Sequence, residues 1–592
     1  MIPKIHRDKI KTELKNIYGP ALAKKFNQPL FDQIKKYISR NKVDVSKNLK
    51  YRALERLTEK TSIVITYGDT IRRKPGHHLK AFSKFAKKYL KGKMNTVHIL
   101  PFYPYSSDRG FSVKNYTQVD PKIGTWQDVS QLGKNFNLMF DLVLNHASVK
   151  GEWFQKFLKQ EPGYENFFIH FQKKDAIPKP QFDKILRPRT NKLLTEFKTK
   201  NNQVIYVWTT FSADQADLNY SDPQVLLEVI KVLLFYLEQS VDFIRLDAVT
   251  YAWKQLGTNC AHRPQAHAIV KLFRLILNLV KPDTAIITET NVPHKDNITY
   301  FGDGYNEAQA VYNFTLPPLT LHTFLTQDSA KLSQWAKTLH KPSPITAYLN
   351  FLDSHDGIGL LPAQNILSKK EINSLVKTTK KHGGLIGYRA NNGKKTPYEL
   401  NITWFSAINP KNTDSTQTKV KRYLASRAVA LSLRGIPHIY ILGLLSAGND
   451  KAYALKTRIN RNINRRNLDE QSVHDTFDSK GWSRFRTVSQ ALLNLLEIRS
   501  QEPAFHPGGK QVILPDNKNI FSLIRISIDR KTNILALINV TNAEQTFKFN
   551  LKKHAPKATQ LTDIITQKNL LTGKKSFINI TLEPYDIQWW KF

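Results

Sequence analysis

One cysteine, Cys260, stands in 592 residues, so no disulfide can form within the chain, and nothing requires an oxidising compartment. Long apolar runs are missing as well. The longest, such as residues 232–237, fall far short of the roughly 18 residues of a membrane span, so no membrane partner is expected. The N-terminal MIPKIHRDKIKTELKNIYG has the spacing of a basic amphipathic helix and lacks the apolar centre of a secretory signal. Together these absences predict a cytoplasmic protein. Acidic residues are scarce: 48 against 89 basic ones give a formal net charge of +41. Such an excess suits nucleic acid. The lysines are spread along the whole chain, however, and no nucleic-acid motif is present, so no nucleic-acid partner is expected. Either a lysine-rich solvated surface or a positive field favouring anions such as phosphate accounts for the charge.

What is present is an alternation of buried strand and amphipathic helix in a chain too long for one ordinary core. Residues 1–60 read as a Lys-rich helical extension, with apolar positions at helical spacing in Ile10, Leu14 and Ile17, then Leu30, Ile34 and Tyr37. Strands follow at 62–67, 96–100, 137–144, 241–247, 284–289, 310–314, 345–352 and 438–442, with helices between them. They are apolar enough to be covered on both faces, the pattern of a parallel sheet with helical crossovers. The fold class is therefore α/β: a (β/α)8 TIM barrel over 61–504, with insertions after strands 3 and 7 at about 147–225 and 357–420. The Gly- and Lys-rich GYRANNGKKTPYELN falls in the second. From 505 to 592, short alternating strands (KQVILPD, IFSLIRISI, ILALINV, TFKFNL, SFINITL) predict a C-terminal antiparallel β domain ending in LEPYDIQWW.

The stretch VDFIRLDAVTY places Arg245 and Asp247 two apart on a strand, hence on one face. An Asp beside a fixed guanidinium is expected to keep a low pKa, as suits a carboxylate nucleophile; a buried ion pair in a sheet reads equally well. In such barrels chemistry sits where strands end on the C-terminal face. The strand ends here carry Asp69, Asp108, His146, Arg245 with Asp247, Glu289, and His355 with Asp356. Any one of these is more often a turn former or helix cap. Three carboxylates after strands four, five and seven, with His and Arg around them, are hard to reach by chance.

DLVLNH, RLDAV, ITET and FLDSHD resemble, in order, the four conserved regions of the α-amylase superfamily (glycoside hydrolase family 13), whose members are retaining α-glucoside enzymes. The resemblance runs from about residue 61 to the C-terminus. ITYGD, VHILPFYP, SSDRGF, RPR, HDGIG and INRNINRR look like the sucrose phosphorylase branch. GTNCAH, TNVPHKDNITYFG and the long extension look more like the glucosylglycerate phosphorylases of that branch. The resemblance implies Asp247 as nucleophile, Glu289 as general acid/base and Asp356 as transition-state stabiliser. It implies that Arg245, His146 and His355 hold the glucosyl unit, that Asp108 and Arg461 close its far end, and that Phe111 forms an apolar wall. Arg189, Tyr251 and Tyr398 would face the acceptor or phosphate.

A retaining displacement needs two carboxyl groups about 5–5.5 Å apart, one ionised and one holding a proton. Arg245 is expected to keep Asp247 ionised while nearby carboxylates raise Glu289. The charge of Asp356 suits an oxocarbenium-like transition state. Arg189 in RPR is the kind of fork that binds phosphate; a surface loop holding carboxylates is the other reading. Tyr398 is followed by Glu399 where sucrose phosphorylases usually have Gln. A carboxylate there suits a small polyol and would repel glycerate unless Arg187 or Arg189 offsets it; it can also point away from the site. Glucosylglycerate, glucosylglycerol and sucrose are thus the candidate substrates, with the resemblance favouring glucosylglycerate. Asn145 matches the position through which many amylases bind Ca²⁺, but the first insertion supplies no acid cluster, so no metal is expected. No cofactor is expected either. The expected partners are a small α-glucoside and inorganic phosphate, for a monomer or homodimer. The rivals are a hydrolase or transglucosidase, and an inactive carbohydrate-binding protein, which the presence of all three carboxylates disfavours.

Overall fold

Eight short segments close into a parallel barrel: β1 (Ile63–Thr66), β2 (Thr96–Ile99), β3 (Asn137–Val143), β4 (Phe243–Asp247), β5 (Ala285–Thr288), β6 (Ala310–Tyr312), β7 (Ala347–Asn350) and β8 (Ile436–Tyr440). Each pairs in parallel with the next, and β8 closes on β1, with Ile63 opposite His438. The structure is a computed structural model describing residues 2–592 apart from Arg52, Leu54, Glu55, Asn392, Gly393, residues 411–413 and Lys574. Parts of the expected extension and second insertion, including Asn392 and Gly393 of GYRANNGKKTPYELN, therefore lie outside the described residues. The expected strands agree with the barrel to within a few residues. No strand end differs by more than two residues, and the eighth strand stops two residues early because Ile441–Leu444 turns helical.

Strand alternation decides what faces the barrel axis. One apolar cluster gathers Met139, Phe243, Ala285, Ile287, Ala310, Tyr312, Ala347, Leu349 and Ile436, which recur at every second position along their strands. By the same period Asp141 follows Met139, Arg245 and Asp247 follow Phe243, and His438 follows Ile436. The apolar floor thus carries a polar layer directly above it.

Helix α1 (Lys4–Arg40) precedes the barrel and is interrupted at Gly19 (φ 74°, ψ 168°), just before Pro20. All six apolar positions predicted at helical spacing are buried. They pack along α2 (Pro223–Glu238) and α3 (Pro264–Val280), the helices that flank β4 in the chain. Between β3 and β4, His146–Ser148 pairs with Gln215–Asp217, and a three-stranded sheet joins His170–Phe171, Val204–Trp208 and Leu194–Lys198. Between β7 and β8 lie the helix Lys369–Lys381 and a hairpin, Leu385–Asn391 with Lys394–Asn401.

The C-terminal strands form a six-stranded and a two-stranded antiparallel sheet around their own apolar cluster. Three strands were not expected: Gln560–Asp563 and Asn569–Leu571, which are short and lack alternation, and Ile587–Lys591, where the terminal aromatics pair with Asn533–Asn539. Buried Arg525 docks the six-stranded sheet on the barrel, donating to Ser432 O (3.2 Å) at the carbonyl end of the helix Thr416–Ser432, where Arg499, on the preceding helix Arg484–Ser500, also donates to Leu431 O (2.9 Å). Among the described residues no helix is long and apolar enough to cross a membrane.

Candidate active site

The strand ends and the loops after them line a pocket at the C-terminal mouth of the barrel. Asp108, Phe111, His146, Arg189, Asp247, Tyr251, Glu289, His355, Asp356, Tyr398 and Arg461 all line it. Arg245 and Glu399 stand behind its wall. Asp69 does not line it; it holds Arg109 at 2.7 Å and Arg72 at 2.7 Å, fixing the SSDRGF turn from below. That turn is strained: Asp108, Arg109 and Gly110 all have positive φ (50°, 49°, 110°). Gly110 is obligatory, since a Cβ there would meet Pro101 O at 2.1 Å. Such a conformation persists where surrounding contacts enforce it, and here it aims Asp108 and Phe111 into the pocket.

On β4, Arg245 Nη1 lies 2.6 Å from Asp247 Oδ1, as the alternation predicts, and Nη2 lies 4.0 Å from Glu289 Oε2. The same Nη1 also donates to Asp141 Oδ1. Asp141 is a carboxylate that sequence reasoning missed. It is wholly buried, with His98 Nε2 2.7 Å from its other oxygen. Its signal was an acid in the middle of the apolar NLMFDLVL, on the same face as Met139.

This third carboxylate corrects the expected electrostatics. Burial raises the pKa of Asp247; Arg245 opposes the rise and Asp141 adds to it, so Arg245 does not hold Asp247 low. Burial likewise pushes Glu289 up to about 7, opposed by Arg245 and reinforced by Asp247 and Asp356. The hydrogen bonds distinguish the two. Asp247 accepts from a guanidinium, whereas Glu289 accepts from the Ala248 backbone N–H at 3.2 Å. A charge-assisted bond favours the anion more strongly, so the proton belongs on Glu289.

Asp356 has the opposite balance. Burial raises it, but Arg461, Arg465 and Arg189 outweigh that and hold it well below the usual carboxylate range. Arg461 Nη1 is 2.5 Å and Arg465 Nη2 3.3 Å from Asp356 Oδ1. Asp108 pairs with Arg465 (Nη1 to Oδ1, 3.2 Å), four residues beyond Arg461 in INRNINRR and not singled out by the sequence. Arg461 instead clasps Glu399 through Nε (3.1 Å) and Nη2 (2.8 Å). Glu399 also accepts the Gly357 N–H at 3.1 Å and is buried outside the pocket lining. Its charge is therefore offset by Arg461, not by Arg187 or Arg189. Arg187 turns away, donating to Asn191 O beside the Phe182 ring.

His355 stacks on Phe111 (5.0 Å, 7°), and burial lowers its pKa to about 3, so it is neutral. His146 is also buried and lowered; its Nε2 is 3.0 Å from Phe111 O and 3.1 Å from Gln215 Nε2. On the remaining side Arg189 lies over the rings of Tyr398 (5.9 Å) and Phe211 (6.0 Å), with no ion-pair partner among the described residues. Tyr251 meets Phe211 edge-on at 5.6 Å, and burial pushes Tyr398 up to about 12. Phe211, Gln215, Thr250 and Asn291 are lining residues that the sequence did not single out, since loop side chains carry no periodic signal.

Asn145, Asp217 and the Tyr251 carbonyl converge on the buried Lys254 ammonium, at 2.5 Å from Asn145 Oδ1 and 2.7 Å from Asp217 Oδ2. A side-chain cation thus sits among the oxygens at the position where a Ca²⁺ ligand was considered. Among the described residues no group of three or more His, Cys, Asp or Glu could hold a metal.

Residues 86–376 match the model of the α-amylase catalytic domain. The chain is 44% identical over 532 residues to a glucosylglycerate phosphorylase of Spirochaeta thermophila, covering 89% of each. It is 37% identical over 587 residues to a glucosylglycerate phosphorylase of Escherichia coli, covering 99% of this chain and 100% of that one. Among solved structures it is similar to the sucrose 6F-phosphate phosphorylase from Thermoanaerobacter thermosaccharolyticum, with 27% identity, a TM-score of 0.70 and coverage of 81% and 94%.

Proposed function

The chain belongs to the α-amylase family, in the branch of its glucoside phosphorylases, and from that premise we propose how its pocket works. It is a hexosyltransferase that converts a small α-glucoside and inorganic phosphate to α-glucose 1-phosphate and the free acceptor. Asp247 attacks the anomeric carbon while Glu289 gives its proton to the leaving acceptor oxygen. The glucosyl unit is then held as a β-ester on Asp247. A phosphate oxygen next attacks that carbon from the vacated side, the ester bond breaks to restore the Asp247 carboxylate, and Glu289 takes the phosphate proton. Asp356, ionised and clamped by two arginines, stabilises the oxocarbenium-like transition state. Phe111, His146, His355 and Asp108 with Arg465 surround the glucosyl unit.

The observation that carries phosphate as the second substrate is Arg189, a guanidinium at the pocket with no ion-pair partner among the described residues. Its fork of donors at the pocket is unclaimed by any carboxylate within ion-pair distance, and a doubly charged oxyanion matches that fork. The favoured glucoside is 2-O-α-glucosylglycerate. Glu399, neutralised by Arg461, does not repel a carboxylate acceptor, and relatives at 44% and 37% identity carry that activity in their names. A reverse-reaction screen tests this choice. Glucose 1-phosphate is offered with glycerate, glycerol, fructose or fructose 6-phosphate, and phosphate release is measured. Glycerate is expected to give the fastest release; faster release with glycerol or fructose overturns the acceptor assignment.

A further inference from the structure

Helix α1 takes no part in the proposed reaction, yet its first half ends beside a residue that follows a pocket-lining turn. Tyr18 stands immediately before the break at Gly19, and its ring centroid lies 6.3 Å from that of Trp253, at 59°. Trp253 follows the turn 248–251, which contributes Ala248, Thr250 and Tyr251 to the pocket lining. That turn is strained, with Ala248 at φ 52° and a single 3-10 turn at Val249–Tyr251, so it needs support from its surroundings. On the inner side Lys254 supplies it, donating to the Tyr251 carbonyl and pairing with Asp217 at 2.7 Å. On the outer side stands Tyr18.

Tyr18 is itself held firmly. The helix is seated on both sides of the break by Ile10, Leu14 and Ile17, then Leu30, Ile34 and Tyr37, all buried. Arg40 meets Glu238 of α2 at 3.5 Å, and Asn48 donates to Leu279 O of α3 at 2.9 Å. The Tyr18 hydroxyl is buried and has no hydrogen-bond partner among the described residues, so its ring, not its hydroxyl, makes the contact.

We infer that α1 is a functional part of the acceptor site: Tyr18, packed on Trp253, is a positioning residue that holds Tyr251 against the acceptor. The inference rests on the proposed function for the identity of that acceptor. It predicts an effect on acceptor binding that is separable from glucosyl transfer to water, because Asp247 and Asp356 are held by Arg245, Arg461 and Arg465, and the turn meets the carboxylates through Ala248 N–H on Glu289, at its end away from Trp253.

The test compares full-length Tyr18→Ala and Tyr18→Phe with the wild type. Loss of the ring contact is expected to raise the KM for glycerate in the reverse reaction by about 3–10-fold, the range one aromatic pair can supply. The kcat for slow hydrolysis of glucose 1-phosphate, with water as acceptor, stays at the wild-type value. Amide exchange across 248–254 speeds up in Tyr18→Ala, and Tyr18→Phe behaves as wild type in all three measurements. An unchanged glycerate KM with unchanged exchange overturns the inference, as does an equal fall in transfer and hydrolysis. If the wild type itself transfers nothing to glycerate, the acceptor assignment falls, and exchange across 248–254 alone decides the role of Tyr18.

Discussion

On the Asp108 side of the pocket each buried charge already has a partner. Arg465 joins Asp108 to Asp356, Arg461 joins Asp356 to Glu399, and Arg245 joins Asp247 to Asp141. On the Arg189 side a guanidinium lies over the faces of Tyr398 and Phe211 and has no ion-pair partner among the described residues. The contrast matches two different tasks. A neutral sugar is read best by charges held in place and balanced in advance, because nothing need reorganise as charge develops at the anomeric carbon. A phosphate that enters and leaves in each cycle is read best by a cation whose charge the protein leaves open.

The comparison can be broken at four places, the largest effect first. Asp247→Asn removes the nucleophile but keeps its shape, and phosphorolysis is expected to fall by roughly 10⁴-fold or more. Retained turnover would refute the covalent route. Glu289→Gln removes the proton donor, and kcat is expected to drop by about 10²–10⁴-fold. Glu289 has a pKa raised to about 7 and acts on the glucoside in its protonated form. Wild-type kcat/KM for the glucoside should therefore hold below that pH and fall as pH rises through it, and the Gln variant should lack this limb. A fall on the acid side instead would contradict the assignment.

On the open side, Arg189→Ala should raise the KM for phosphate by about 10–100-fold, as expected for the loss of a charge-assisted fork. Arg189→Lys should restore it only in part. The smallest expected effect is that of Glu399→Gln. Glu399 acts through Arg461 and the Gly357 N–H on Asp356, so a loss of about 3–10-fold should appear in kcat and not in acceptor KM. A change confined to acceptor KM would place Glu399 in contact with the acceptor after all.

The fold was legible because a barrel strand covered on both faces is a short apolar run, and several of these runs here end at or just before polar residues. The same feature made Asp247, Glu289 and Asp356 findable, since Asp247 ends a strand, Glu289 follows one directly and Asp356 lies in the loop that follows one. What stayed hidden depended on distant contacts. INRNINRR offers Arg461 and Arg465 four residues apart, and only the folded loop decides which one meets Asp108. Asp141 was visible as an acid inside an apolar strand, but not as a second claimant on Arg245. That sharing, together with burial, is why Asp247 is raised where adjacency alone predicted a low value. Tyr18 and Trp253 are 235 positions apart, and no local pattern links them.

The central claim is that phosphate, not water, takes the glucosyl unit from Asp247. The most direct measurement is to incubate the enzyme with 2-O-α-glucosylglycerate, with and without phosphate, and to quantify glucose 1-phosphate and free glucose. Phosphate-dependent release of α-glucose 1-phosphate, with little free glucose, is the predicted result. Free glucose released at the same rate whether or not phosphate is present would contradict it.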